Sequence, residues 1–301
     1  MERYRGRFAP SPTGPLHFGS LVAAIGSFLE ARTRGGEWLV RMEDLDPPRV
    51  APGAADDILS TLQACGMQWD GVVAYQSARH RAYHCAVHRL REKGLVYPCA
   101  CSRREIADSA VAGPEGSVYP GTCRRGAAQG KSAKALRLDT RGATIVFDDV
   151  LQGRRATELE REYGDFVVYR ADGVYAYQLA VVMDDAEQGI TDVVRGADLL
   201  GSTPRQIYLQ QLLGLPQPRY AHLPVALNDR DEKLSKQTLA VPVNAARPMP
   251  ELMAALAFLG QQPPPELAES NVASLWRWAV AHWSLDRVPR RAASRSSDVR
   301  V

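Results

Sequence analysis

Arg5-Gly6-Arg7-Phe8-Ala9-Pro10-Ser11-Pro12-Thr13-Gly14-Pro15-Leu16-His17-Phe18-Gly19-Ser20 lies near the start of the chain, and its reading decides the fold. Residues 3–9 read as a short strand that ends at Pro10. The turn that follows is rigid, because proline fixes φ while Gly14 permits unusual φ. Leu16, Ser20, Leu21, Ala24, Ile25, Phe28 and Leu29 then recur at helical spacing. Gly35-Gly36 closes that helix, and Trp38-Leu39-Val40-Arg41-Met42 reads as a buried strand. The result is strand, turn, helix, strand, the opening unit of a doubly wound nucleotide-binding sheet.

Further along, helices are expected over about 54–65, stopping near Gly66, and about 79–93, stopping at Gly94 as the residue after the cap. Periodicity is lost over 97–126. A short strand is expected at Ile145-Val146-Phe147, another at Phe166-Val167-Val168-Tyr169, and a further one around Tyr175–Met183. Thr203 is expected to cap a helix reaching Leu213, with Pro204 at its first position. His222–Leu227 reads as a strand leading to a polar loop at Asp229–Thr238. The remainder reads as helical around the breaker Pro263-Pro264-Pro265, with an Arg- and Ser-rich tail after Pro289 that is expected to be poorly ordered. There is no internal repeat.

Composition bounds the function. The 301 residues are 45% hydrophobic and 24% charged, which excludes a disordered, collagen-like or coiled-coil chain. Thirty-seven basic against 34 acidic residues give a net charge of +3, too little for a general polyanion coat but compatible with a local RNA-binding face. No apolar run of about 18 residues is present, and no signal-peptide core follows Met1. The expectation is a cytoplasmic protein with no membrane span. Five cysteines are an odd number, ill suited to a disulfide framework.

Three constellations carry chemistry. His17 and Gly19 sit where a helix starts after the first strand. Free backbone N–H groups and the helix dipole there suit phosphate, and Gly19 lets a flat nucleotide approach closely; a histidine capping its own helix is the alternative. Lys233-Leu234-Ser235-Lys236 places two mobile point charges three residues apart, fit to clamp a triphosphate; a solvated basic turn is the alternative. Cys99-x-Cys101 with Cys123 downstream is a thiolate set of the kind zinc prefers, against free cysteines on an insertion. No histidine lies between 101 and 123, so a fourth ligand stays open. Cys65 and Cys85 fall in expected helices and read as buried apolar residues.

The first two motifs occur in order on one βαβ chain. His17-Phe18-Gly19-Ser20 resembles the HIGH signature, and Lys233-Leu234-Ser235-Lys236-Gln237 the KMSKS signature, of class I aminoacyl-tRNA synthetases. Arg7–Gly14, Arg41-Met42-Glu43-Asp44-Leu45-Asp46 and Val194-Arg195-Gly196-Ala197-Asp198-Leu199 are similar to the glutamyl/glutaminyl subgroup. The second histidine of the HIGH signature is Ser20 here, which can donate a hydrogen bond but carries no charge.

That resemblance implies an α/β fold: a doubly wound, Rossmann-type parallel-sheet catalytic domain with a zinc-containing insertion and a small, mainly helical C-terminal segment. The expected divisions are 1–97 with 165–225 for the catalytic domain, 98–164 for the insertion, and 226–301 for the KMSKS-like loop and stem-contact segment. It also implies that Arg7, Ala9, Ser11, Glu43, Tyr177 and Arg195 surround glutamate. The chemistry agrees: a dicarboxylate needs cations, an ammonium needs an anion, and a phenol can donate to a carboxylate. His17, Gly19, Ser20 and Lys236, with Lys233 assisting, would hold ATP, whose phosphates Mg²⁺ bridges. Cys99, Cys101, Tyr119 and Cys123 would hold one structural zinc ion, with Tyr119 as the fourth ligand.

Sixty-five residues follow Lys236, too few for a full anticodon-reading domain. The chain therefore resembles the shortened glutamyl-queuosine tRNA(Asp) synthetase family, which attaches glutamate to the queuosine base at the wobble position of tRNA(Asp). The resemblance implies a monomer that grips the queuosine-bearing anticodon stem-loop, and Arg103, Arg104, Arg124 and Arg125 are basic candidates for that contact. A truncated glutamyl-tRNA synthetase charging the 3′ end, and a non-catalytic tRNA-binding relative, are the competing readings.

Overall fold

The computed structural model describes residues 3–114, 116–127, 130–228, 231 and 241–295. Strand β1 (Arg5–Phe8) pairs in parallel with β2 (Glu37–Met42), and β2 in parallel with β3 (Ala74–Tyr75). Helix α1 (Phe18–Thr33) crosses over between β1 and β2, as the periodicity requires. Helices α2 (Ala54–Ala64) and α3 (His80–Glu92) follow, each ending in a glycine with positive φ, Gly66 at 68° and Gly94 at 66°.

Strand β4 (Val96–Cys99) leads into a short helix, α4 (Arg103–Ser109), and a hairpin of β5 (Val111–Gly113) and β6 (Gly116–Val118). Strand β7 (Ala135–Leu138) lies between β4 and β10 (Phe166–Tyr169) in an antiparallel sheet. Between β7 and β10, β8 (Thr144–Asp149) and β9 (Gly153–Glu158) form a hairpin, followed by α5 (Leu159–Glu162).

Helix α6 (Tyr177–Glu187) precedes β11 (Asp192–Gly196), then α7 (Thr203–Leu213), β12 (Arg219–Leu223) and β13 (Val225–Leu227). β11 and β12 are parallel, and β8 joins the far edge of β12 through Tyr220 opposite Asp149. The hairpin at 144–158, inside the span read as an insertion, is thus continuous with the β11–β12 sheet. That sheet meets β1 through Thr191, whose N–H donates to the Arg5 carbonyl at 3.0 Å.

Helix α1 is the hub of the main core. Leu21, Ile25 and Leu29 are fully buried on it, and Phe28 meets Trp38 and Trp276 edge-on at 5.2 and 5.1 Å, pairs worth about 1 kcal/mol each beyond burial. Gly26 permits its close seating on the sheet, because a Cβ there would lie 2.5 Å from Leu223. The C-terminal helices α8 (Met249–Phe258) and α9 (Val272–His282) pack on α1, and the Trp276 indole donates to the Cys65 carbonyl at 2.8 Å. A second core forms where α3, α6 and α7 meet β7 and β10.

Four expectations are corrected. The strand expected around Tyr175–Met183 is helix α6; its run Leu179–Val182 is buried throughout, and an apolar run buried all round does not distinguish helix from strand. Ser202 occupies the cap position of α7 and Thr203 is its first helical residue, because the Thr203 hydroxyl is engaged by the buried Arg195. The described part of the tail is ordered: β14 (Ala293–Arg295) pairs in parallel with β13 and satisfies its edge. Cys85 is exposed on α3, whereas Cys65 is buried.

Candidate active site

A cavity of about 470 Å³ opens between the β1–α1 turn and the ends of β2, β11 and β12. It brings together Arg7, Ala9, Ser11, His17, Gly19, Ser20, Glu43, Tyr177 and Arg195, residues drawn from four widely separated stretches of chain. Lys233 and Lys236 lie outside the described residues. The chain on either side of their loop reaches the cavity: Val225 and Ala226 line it, and Pro242 bridges to His17 while the Val243 N–H donates to the Leu16 carbonyl at 2.8 Å.

His17 is the cap of α1. Its Nδ1 accepts from the Ser20 N–H at 3.3 Å, which leaves Nε2 protonated in the neutral ring and 3.0 Å from Ser20 Oγ. Capping and lining the cavity are therefore compatible, and the serine that departs from the HIGH pattern touches the histidine that remains.

The cations are held differently. The Arg7 side chain is buried and donates to Asp185 through Nε at 3.2 Å and Nη2 at 3.4 Å. Arg41, fully buried behind it, reaches the same carboxylate at 2.8 Å and Glu43 at 3.5 Å. Burial would raise the Asp185 pKa, but Arg7 and Arg41 hold it below the ordinary carboxylate range. Glu43 has less support, and burial pushes it up to about 7 against the lowering pull of Arg41 and Arg7. Tyr177, the first residue of α6, is raised mainly by burial, with Glu43 adding to it.

Among the described residues, Arg195 has no carboxylate at hydrogen-bond distance. Its Nε donates to His222 at 3.0 Å, and its Nη2 to Thr203 and Gln206 at 2.9 Å each. Nη1 is buried and meets no hydrogen-bond partner among the described residues. A guanidinium that lines a cavity without a carboxylate partner of its own is suited to a substrate carboxylate.

The sequence reading missed Asp184, Asp185, Asp149 and His222, all buried. The Asp184-Asp185 pair directly follows the apolar run Leu179–Met183, and assignment of that run to a strand hid the helix that carries both acids.

The cysteine cluster lies apart from the cavity-lining residues. Cys99, Cys101 and Cys123 have all their sulfurs within 4.8 Å of one another. Tyr119 Oη lies 3.5 Å from the Cys99 sulfur and 3.6 Å from that of Cys101, and accepts from the Cys123 N–H at 2.9 Å. The Arg137 guanidinium stacks 3.9 Å over the Tyr119 ring, and its Nε donates to the Cys99 sulfur at 3.4 Å. Four converging donors beside a cation fit a metal ion. Of the basic candidates nearby, Arg124 pairs with Asp165 and Glu160, at 2.6 and 2.7 Å, while Arg104 and Arg125 are exposed.

Comparison with known proteins agrees with this geometry. The family of class I tRNA synthetases (E and Q), catalytic domain, matches residues 3–249. The glutamyl-Q tRNA(Asp) synthetase of Dechloromonas aromatica is 62% identical over 291 residues, covering 96% of this chain and 97% of that protein. That of Aromatoleum aromaticum is 60% identical over 288 residues, covering 96% and 91%.

The chain belongs to the glutamyl-Q tRNA(Asp) synthetase family.

As a member of the glutamyl-Q tRNA(Asp) synthetase family it keeps the class I synthetase fold. The glutamate-tRNA synthetase of Elizabethkingia anophelis superposes with a TM-score of 0.77 at 23% identity, covering 98% of this chain and 68% of that one. The glutamate tRNA ligase of Elizabethkingia meningosepticum, in complex with its amino acid, gives 0.76 at 24% identity, covering 98% and 67%. The family expected from the HIGH-like and KMSKS-like motifs is therefore the one found. Among the described residues no helix is long and apolar enough to cross a membrane.

Proposed function

We propose that this protein activates L-glutamate with ATP and transfers the glutamyl group to the queuosine base at the wobble position of tRNA(Asp). The observation that carries the reading is the meeting of Arg7, Arg195, Glu43 and Tyr177 in one cavity with the start of α1. Arg7 and Arg195 take the carboxylates of glutamate, Glu43 its ammonium, and Tyr177 donates to a carboxylate oxygen. Ala9 and Ser11 line the remaining wall.

A glutamate carboxylate oxygen attacks the α-phosphorus of ATP. The new O–P bond forms as the bridging P–O bond breaks, and pyrophosphate leaves with the charge. His17, Ser20, Lys236 and Lys233 would hold the phosphates, and Gly19 would admit the nucleotide to the helix N-terminus. Positioned cations and N–H donors act where phosphoryl charge builds. Mg²⁺ arriving with ATP would supply further neutralisation of phosphate charge. In the second step a ring hydroxyl of queuosine attacks the acyl carbon, AMP leaves, and the hydroxyl proton is released.

One zinc ion held by Cys99, Cys101, Cys123 and the Tyr119 oxygen gives the insertion a fixed core. The N–H of Cys123 and the cation of Arg137 support the ligands' negative charge. The tRNA is gripped by its anticodon stem-loop, and the enzyme acts as a cytoplasmic monomer. Glutamate-dependent exchange of labelled pyrophosphate into ATP tests the activation step: exchange with glutamate and not with glutamine or aspartate is expected, and its absence from folded protein contradicts the proposal.

A further inference from the structure

Arg195 and His222 are cross-strand partners, one on β11 and one on β12. Asp149 ends β8 on the other side of β12, so three adjacent strands carry three side chains in one line. His222 is fully buried and its Nδ1 lies 2.5 Å from Asp149 Oδ2, while its Nε2 lies 3.0 Å from Arg195 Nε. An arginine Nε can only donate, so Nε2 must accept, and the ring proton must sit on Nδ1 and be given to Asp149. Asp149 is itself fixed: Oδ1 accepts from the backbone N–H groups of Leu151, Gln152 and His222, at 3.0, 2.8 and 3.2 Å.

We propose that Asp149 and His222 are positioning residues, which hold the Arg195 guanidinium oriented at the cavity to meet a substrate carboxylate. The proposal rests on the glutamate-binding reading above. Two features separate it from ordinary core packing. Every hydrogen-bond partner of Arg195 among the described residues is neutral, so its charge is left for a ligand, unlike that of Arg7, which Asp185 compensates. The Arg195 side chain lines the cavity, and its buried Nη1 meets no hydrogen-bond partner among the described residues, so the guanidinium keeps donor capacity that the protein does not use. The neutral state of the ring has a physical basis: burial, with Arg195 adjacent, pushes the His222 pKa down to about 4 against the raising effect of Asp149.

The test uses the full chain in steady-state ATP–pyrophosphate exchange, with KM for glutamate and for ATP measured separately. In Asp149→Asn the Oδ1 atom keeps its three backbone donors, and the amide N–H₂ then faces Nδ1 and forces the proton onto Nε2, against Arg195. In His222→Leu the acceptor is gone. Both are expected to raise the glutamate KM about 10- to 100-fold while the ATP KM stays within about two-fold. His222→Gln, whose amide oxygen can accept from Arg195 Nε, is expected to recover most of the loss. Unchanged glutamate KM in the first two variants, or an equal rise in both KM values, overturns the proposal.

Nitrogen NMR of the wild-type imidazole reads the same relay without substrate. At neutral pH, protonated Nδ1 with bare Nε2 is expected, and an Nε2–H tautomer or an imidazolium overturns it, whether or not the variants fold. Wild-type exchange separately reports on the glutamate-activation reading, so the two can fail independently.

Discussion

Asp185 receives Arg7 through both carboxylate oxygens, at 3.2 and 3.4 Å, and the pair is buried, with Arg7 lining the cavity. Arg41 shares the same carboxylate at 2.8 Å. Removing the Asp185 charge leaves two buried cations without their common anion. Asp185→Asn is therefore expected to cost about 3–5 kcal/mol of stability, measured by urea unfolding at pH 7. The folded-state pKa of Asp185 is lowered, so its contribution is present above the unfolded carboxylate value of about 3.9 and is lost as pH falls through the folded one. The gap between wild type and variant should close on acidification.

Glu43 behaves in the opposite sense. Its pKa is raised to about 7 by burial, with Arg7, Arg41, Asp184 and Asp185 as the charged neighbours. The ammonium of glutamate requires the anion, so the glutamate KM is expected to rise as pH drops below about 7, by up to about ten-fold per unit. Glu43→Gln should raise KM at pH 8 and flatten that profile. Exchange kinetics between pH 6 and 8 decide it, and a profile retained in the variant would assign the titration to another group.

The cysteine cluster predicts a metal dependence separable from glutamate binding. Purified protein is expected to carry one zinc per chain by elemental analysis. Cys101→Ser should lose the metal and lower the melting temperature, while the glutamate KM moves by less than about three-fold, because no cluster residue lines the cavity. Full-occupancy zinc in that variant would contradict the assigned ligands.

Lys236→Ala should lower exchange by about 10²- to 10³-fold, the usual loss for one positioned donor at developing charge, while glutamate still binds by calorimetry. Exchange at the wild-type rate would remove this loop from the reaction.

Much of this site was legible because its chemistry is written in contiguous motifs. The turn before His17, the Arg41–Asp46 strand end and the Val194–Leu199 stretch each carry their residues within a few positions, and strand register brings them to one cavity. What was not legible is what register and burial create between distant segments. Asp149, His222 and Arg195 are far apart in sequence and form a line only because β8, β12 and β11 are neighbours. Helix α4 is a different case: Ser102 and Glu105 form a reciprocal capping box, a local signal overlooked beside the cysteines. The helix α6 was misread because its burial all round erased the periodicity that distinguishes helix from strand.

The central claim is transfer of glutamate to the anticodon and not to the 3′ end. The direct measurement incubates the protein with labelled glutamate, ATP and tRNA(Asp), with or without queuosine, and then removes the 3′ CCA end. The account predicts label that requires queuosine and remains on the RNA after the CCA end is gone. Label on tRNA lacking queuosine, released with the CCA end, would contradict it.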